Sequence, residues 1–215
     1  MTTLIIDPTH RSQLTIGIVT PSASMALAYP DGPLHALLDS HTHDAWWPWV
    51  TTALSHVNAH PSELSRVIVV AGPGALTPLR LIATAMMGLQ LVHHTPIEWV
   101  PTDVAFGAGY PNTTLWTVLG GRQNGCMVGL IRNQNGHLER LIDPIAMPLA
   151  SWQQKATQLA PHSTVVWANH HPHTPTPTTA RVALPLDRMQ HLTQWVSQGH
   201  TFEQVPQLYY GYPAL

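Results

Sequence analysis

The side chains with metal or catalytic potential are few. His56 and His60 stand four apart, a spacing that puts two ligands on one face of a helix. Pro61 follows at once, so a helix is expected to end there, and no third ligand accompanies the pair. His170, His171 and His173 form a looser cluster in a proline-punctuated stretch and read as surface histidines. Cys126 lies in an apolar run, where a thiol is expected to be buried and inert. Asp103, Asp143 and Asp187 show no pairing spacing and read as solvated or capping carboxylates. The chain has no G-x-x-x-x-G-K-S/T phosphate loop and no G-x-S-x-G elbow. No catalytic residue, metal or cofactor is therefore assigned. What remains is Gly72-Pro73-Gly74, which by itself is a turn.

The elements around that turn are better defined. Val67–Val70 is a β-branched apolar run suited to a buried strand. Beyond the turn, Thr77 is an N-cap candidate and Pro78 a good first helical residue. Leu79, Ile82, Ala83, Met86 and Leu89 then follow at helical spacing. The other faces of this helix are hardly polar, so a second surface is expected to cover it.

Other strands are expected at Leu4–Ile6, Leu14–Ile18, Ser24–Ala28, Ile97–Val100 and Val165–Ala168, with a hairpin of Leu115–Leu119 and Gly125–Ile131. Asn135-Gly136 reads as a hairpin turn. Helices are expected over His41–Val57, from a cap at Thr102 to Tyr110, from a Ser151/Gln154 capping box to Ala160, and over Leu186–Gln198. Trp46, Trp47 and Trp49 fall close together in the first of these. Two readings stand: two pack inside and one lies on the surface, or the group forms a partner interface, where tryptophan is enriched.

Composition excludes several classes. Charged residues are only 9% of the 215, and the net charge is −2 with a single lysine, Lys155. Without a Lys/Arg cluster the chain is expected to bind RNA poorly on its own. The lone Cys126 excludes an internal disulfide and fits a reducing compartment. No signal peptide is visible and no apolar run reaches membrane-spanning length, so a cytoplasmic location is expected.

Strand, Gly-Pro-Gly, a Thr three residues on, an Arg three after that, and a helix of small residues: the stretch Val67–Val92 resembles the TsaB (YeaZ) family. That family usually reads GPGSFTGLR here, and this chain reads GPGALTPLR. Gly72, Pro73, Gly74, Thr77, Leu79 and Arg80 match; Ala75, Leu76 and Pro78 depart. Elsewhere the likeness is looser: Asp7 and Thr9 hold places in an acidic turn, Arg122 and Gly125 survive from a second-lobe motif, and Gln207–Tyr210 resembles the family's closing strand. His41 or His43 matches a histidine of the family's first helix.

The resemblance implies an α/β protein of actin-like ATPase (ASKHA) fold. It would have two ribonuclease-H-like lobes, residues 1–110 and a divergent 111–215. It implies a degenerate nucleotide turn at Asp7, Thr9, Gly72 and Gly74, since Pro8 and His10 depart from the usual pattern. TsaD-like enzymes carry a His-x-x-x-His motif after the strand that follows this helix, and here Trp99–Val104 holds no histidine. The resemblance therefore implies a non-catalytic partner of a TsaD-like enzyme in making threonylcarbamoyl-adenosine in tRNA. Such a chain would bind tRNA only through the complex, act alongside a TsaE-like ATPase, and form a homodimer when alone. Trp46, Trp47, Trp49, Arg80, Ala83, Ala85, Met87 and Gly88 are the expected partner surface. The rivals are a nucleotide-dependent actin-like enzyme and a metallopeptidase-like protein.

Overall fold

A computed structural model describes residues 1–10, 13–28, 46–74, 76–120, 125–159, 164–168, 181–182 and 184–202. His41, His43, Arg122, the His170–His173 cluster and Gln207–Tyr210 lie outside the described residues.

The first sheet contains β1 (Thr2–Asp7), β2 (Thr15–Val19), β3 (Ser24–Ala28), β4 (Leu64–Val70) and β5 (Ile97–Val100). Its order is β3-β2-β1-β4-β5, antiparallel among the first three and parallel from β1 to β5. β1 and β4 are the central strands. Their unbroken Leu-Ile and Val-Ile runs are buried on both faces, as parallel strands under two helix layers require.

The second sheet contains β6 (Thr113–Gly120), β7 (Gly125–Gln134), β8 (His137–Pro148), β9 (Thr164–Ala168) and β10 (Arg181–Val182). Its order, β8-β7-β6-β9-β10, repeats the first sheet: three antiparallel strands, then two in parallel. The β7–β8 turn has Asn135 at φ 53° and Gly136 at φ 78°, the left-handed pair a tight hairpin needs.

Among the described residues five α-helices cover the sheets: α1 (Trp46–Ser55), α2 (Leu76–His93), α3 (Thr102–Gly107), α4 (Leu149–Leu159) and α5 (Pro185–Ser197). α1 and α2 pack on one face of the first sheet through Val50, Leu54, Ile82, Met86 and Leu89. α4 covers the outer face of the second sheet through Leu149 and Trp152. The other two helices exchange places. α3, which follows the first sheet in sequence, packs on β6, β7 and β8 of the second. α5, which follows the second sheet, packs on β1, β2 and β3 of the first. Each half of the chain is thus completed by a helix of the other.

Several expected starts and ends shift. α2 begins at Leu76, so Thr77 and Pro78 lie inside its first turn. α3 begins at Thr102, whose hydroxyl makes no cap; it bonds the Pro73 carbonyl oxygen instead. α4 begins at Leu149, which places Ser151 within the helix and removes the capping box. α1 ends at Ser55, so His56 and His60 do not share a helix face. The His56 ring bonds the Thr52 carbonyl oxygen, and the His60 ring bonds Ser62 in a 3-10 turn.

Candidate functional site: the acidic turn and its guanidinium

β1 delivers Asp7 to its C-terminal end, and the chain turns at once. Asp7 Oδ1 accepts the Thr9 backbone N–H at 3.0 Å and the Thr9 hydroxyl at 2.5 Å. A short acidic side chain that bonds the backbone two residues on is a turn-former in its own right. The central position of β1 buries this turn: Asp7 is 1% exposed and Thr9 0%.

The glycine turn after β4 lies directly against it. Gly72 has φ 100°, in the region where a side chain is strained, and the Gly72–Pro73 peptide is cis. Gly74 touches the acidic turn: a Cβ there would stand 2.5 Å from Thr9 Cβ and 2.7 Å from Thr9 Cα. α3 clamps the turn from the other side. The Thr102 N–H donates to Gly72 O at 2.8 Å and its hydroxyl to Pro73 O at 3.0 Å. Asp7, Thr9, Gly72 and Gly74 thus form one compact unit at the strand ends.

A residue from the far end of the chain completes it. Arg188 of α5 donates from Nη2 to the Thr9 hydroxyl at 2.9 Å and forms an ion pair with Asp7 Oδ2. The pair is Coulombic and not an aligned hydrogen bond. The guanidinium carbon lies 4.7 Å from the centre of the Phe106 ring, a cation–π contact from α3. Arg188 is 4% exposed. The Thr9 hydroxyl donates to Asp7 and accepts from Arg188, a use its one proton and two lone pairs allow.

Two further residues lie in or beside this turn. Burial, then the Arg188 charge, hold the His10 imidazole below its ordinary range, with Asp7 opposing. Thr15, paired in register with Asp7, is buried, and its hydroxyl has no partner among the described residues.

The Asp7 carboxylate thus faces Arg188, and the Thr9 N–H is held by Asp7.

Arg188 was not among the residues singled out from the sequence, yet one signal exists. It falls on the same stripe of α5 as Met189, Leu192, Trp195 and Val196, all buried. A charge on an apolar stripe implies a buried partner.

A second, partly buried pair joins the halves. Arg140 of β8 grips Asp103 of α3 with two 2.8 Å bonds, Nε to Oδ2 and Nη2 to Oδ1. Burial pushes the Asp103 carboxyl above its ordinary range, and Arg140 opposes the shift. Asp103 is thus not solvated: it is buried, paired with Arg140, and accepts backbone N–H bonds in the first turn of α3. Cys126 is buried on β7, where desolvation pushes its thiol up to about 12.

The expected partner surface divides. Ala83 is 3% exposed and packs inward, so it is removed from that surface. Ala85 is half-buried against the same core. Trp47 and Trp49 are half-buried there as well, while Trp46 is described only as part of α1. Arg80, Thr84, Met87, Gly88 and Leu91 are exposed, and among them Met87 is 63% and Leu91 78% exposed. A Cβ on Gly88 would meet nothing within 4 Å. Among the described residues no three His, Cys, Asp or Glu side chains gather as a metal site, and no helix is long and apolar enough to cross a membrane.

The repeated strand order, with helices exchanged between the halves, defines an actin-like ATPase fold of two ribonuclease-H-like lobes. Within that class the fold is that of YeaZ (TsaB). YeaZ from Pseudomonas aeruginosa superposes with a TM-score of 0.64 at 17% identity, over 93% of this chain and 94% of that one. A second structure, of an uncharacterized protein with similarity to peptidase YeaZ from Pseudomonas aeruginosa, gives 0.66 at 15% identity, over 100% and 98%. No family model matches the sequence, and no curated protein does.

Proposed function

We propose that the chain is a TsaB-like accessory subunit that binds and stabilises a TsaD-like enzyme for threonylcarbamoylation of tRNA. The observation that carries this reading is likeness to YeaZ over nearly the whole of both chains, joined to an acidic turn neutralised from within. Such a chain keeps the two-lobed scaffold and gives up the nucleotide chemistry of the superfamily.

The exposed face of α2 is the proposed contact. Arg80, Thr84, Met87 and Leu91 recur at intervals of four, three and four, which sets them in one seam along the helix. Gly88 lets a second helix approach closely. The same seam would serve a homodimer when the enzyme is absent. tRNA would be held by the complex, since this chain carries too few cations to neutralise many phosphates. A TsaE-like ATPase would supply any nucleotide turnover, in the cytoplasm.

A pull-down of the tagged chain from its native cell tests the proposal. A TsaD-like protein is expected in the eluate. A folded bait that returns none, under conditions that preserve the complex, would remove this reading in favour of a nucleotide-dependent enzyme.

A further inference from the structure

We propose that Arg188 is a resident cation: its guanidinium stands beside Asp7 where an active member of the superfamily would direct a nucleotide-bound divalent metal. The inference concerns the cleft alone and holds whether or not the chain binds a TsaD-like enzyme. Three observations converge on it. The Asp7 carboxylate is buried and forms an ion pair with the equally buried Arg188. The Phe106 ring lies against the guanidinium, and the Thr9 hydroxyl ties it to the turn. Gly74 brings the second turn into contact with Thr9, so the two turns meet each other.

The geometry also shows why the cation is an arginine on α5. Gly17 of β2 has no side chain, and a Cβ there would stand 2.3 Å from the Thr193 methyl and 2.8 Å from Met189 Sδ. That notch lets α5 lie close against β2, one helical turn from Arg188. The sheet glycine and the arginine therefore act together: one admits the helix, and the other uses its position to neutralise Asp7. The buried Thr15 hydroxyl belongs to the same surroundings, two residues before Gly17, on the strand face that carries Asp7's partner position. Removing the guanidinium would leave oxygen atoms of Asp7, Thr9 and Thr15, which are ligands for a hard divalent cation.

Thermal unfolding of the purified chain with MgCl2, MnCl2 or Mg-ATP tests the inference. The wild-type midpoint is expected to stay unchanged with each. Arg188→Ala is expected to melt lower, to regain part of the loss with MnCl2, and to lose that response when Asp7→Asn is added. Should Arg188→Ala be unfolded as isolated, refolding with and without MnCl2 reads the same point. Recovery only with the metal supports the inference, and failure in both conditions overturns it. A folded Arg188→Ala indifferent to MnCl2 also overturns it, leaving Arg188 as a core ion pair only. So does a wild-type chain raised by Mg-ATP in an Asp7-dependent way, which would mean that Arg188 moves aside for nucleotide.

Discussion

Arg188, on the last described helix, neutralises Asp7 at the end of the first strand. The contact ties the two ends of the described chain and crosses the point where helices are exchanged between the lobes. Removing one partner of a buried pair strands the other as an uncompensated charge, whereas removing both does not. Arg188→Met is therefore expected to cost about 3–5 kcal/mol by chemical denaturation. Asp7→Asn added to it should return most of that loss. Additive single effects would show that the two side chains are not coupled.

Gly74 makes a second demand on the same turn. A methyl group there meets the Thr9 Cα and Cβ, which belong to a buried, hydrogen-bonded turn and cannot withdraw. Gly74→Ala is expected to lower stability by about 1–3 kcal/mol, the usual cost of overpacking. Gly88→Ala, at an open position inside α2, should instead raise stability by about 0.5–1 kcal/mol, since alanine is the better helix former. Parallel denaturation curves of the two variants check this contrast.

The pH dependence follows from His10. Its folded-state pKa is lowered, so the folded protein favours the neutral ring. Above the unfolded value near 6.5 the ring is neutral in both states and contributes nothing. Below it the unfolded chain takes up the proton first, so this histidine subtracts stability as the solution is acidified. Wild type should therefore lose more melting temperature than His10→Gln between about pH 7.5 and pH 5.5. Equal losses would show that the ring is not held neutral.

The partner surface calls for a different residue from the one the helical pattern suggests. Ala85 stands off the stripe of Leu79, Ile82 and Met86, so Ala85→Glu looks like a surface change on paper. The structure packs Ala85 partly against the first core, where a charge would threaten the fold as well as the contact. Met87→Glu avoids this, because Met87 is exposed. It is expected to leave the monomer's stability within about 0.5 kcal/mol and to abolish the complex with a TsaD-like enzyme. Calorimetry of the two proteins reads both effects. A complex of unchanged affinity would place the interface elsewhere.

Much of the fold was legible where local pattern and tertiary role agree. The stripe of α2 is buried as its spacing requires, and Ser24–Ala28 and Ile97–Val100 are strands over the same residues. The twelve-residue β8 was not legible. Its sequence, HLERLIDPIAMP, has no clean alternation and includes two prolines. β8 is an edge strand, where a missing N–H is tolerated, and proline there says little against a strand. Helix starts were misplaced for a related reason: Thr77, Thr102 and Ser151 are good caps locally, but tertiary bonds such as Thr102 to Pro73 outweigh that preference.

Of the acidic site, the sequence shows Asp7, Thr9, Gly72 and Gly74 but not their partner. Arg188 lies 179 residues from Thr9, and no local periodicity links them. Only the sheet order and the exchange of α5 onto β2 bring the two together. Half of this site is therefore a property of topology.

The central claim is that the chain serves a TsaD-like enzyme and performs no nucleotide chemistry itself. Its most direct test is reconstitution from purified components: this chain, the TsaD-like enzyme of the same cell with any ATPase it needs, threonylcarbamoyl-adenylate and unmodified tRNA. Mass spectrometry of the digested tRNA then measures threonylcarbamoyl-adenosine. The account predicts that the modified nucleoside forms with the wild-type chain and falls to the level without it when Met87→Glu replaces it. Equal modification with and without the chain would contradict the account.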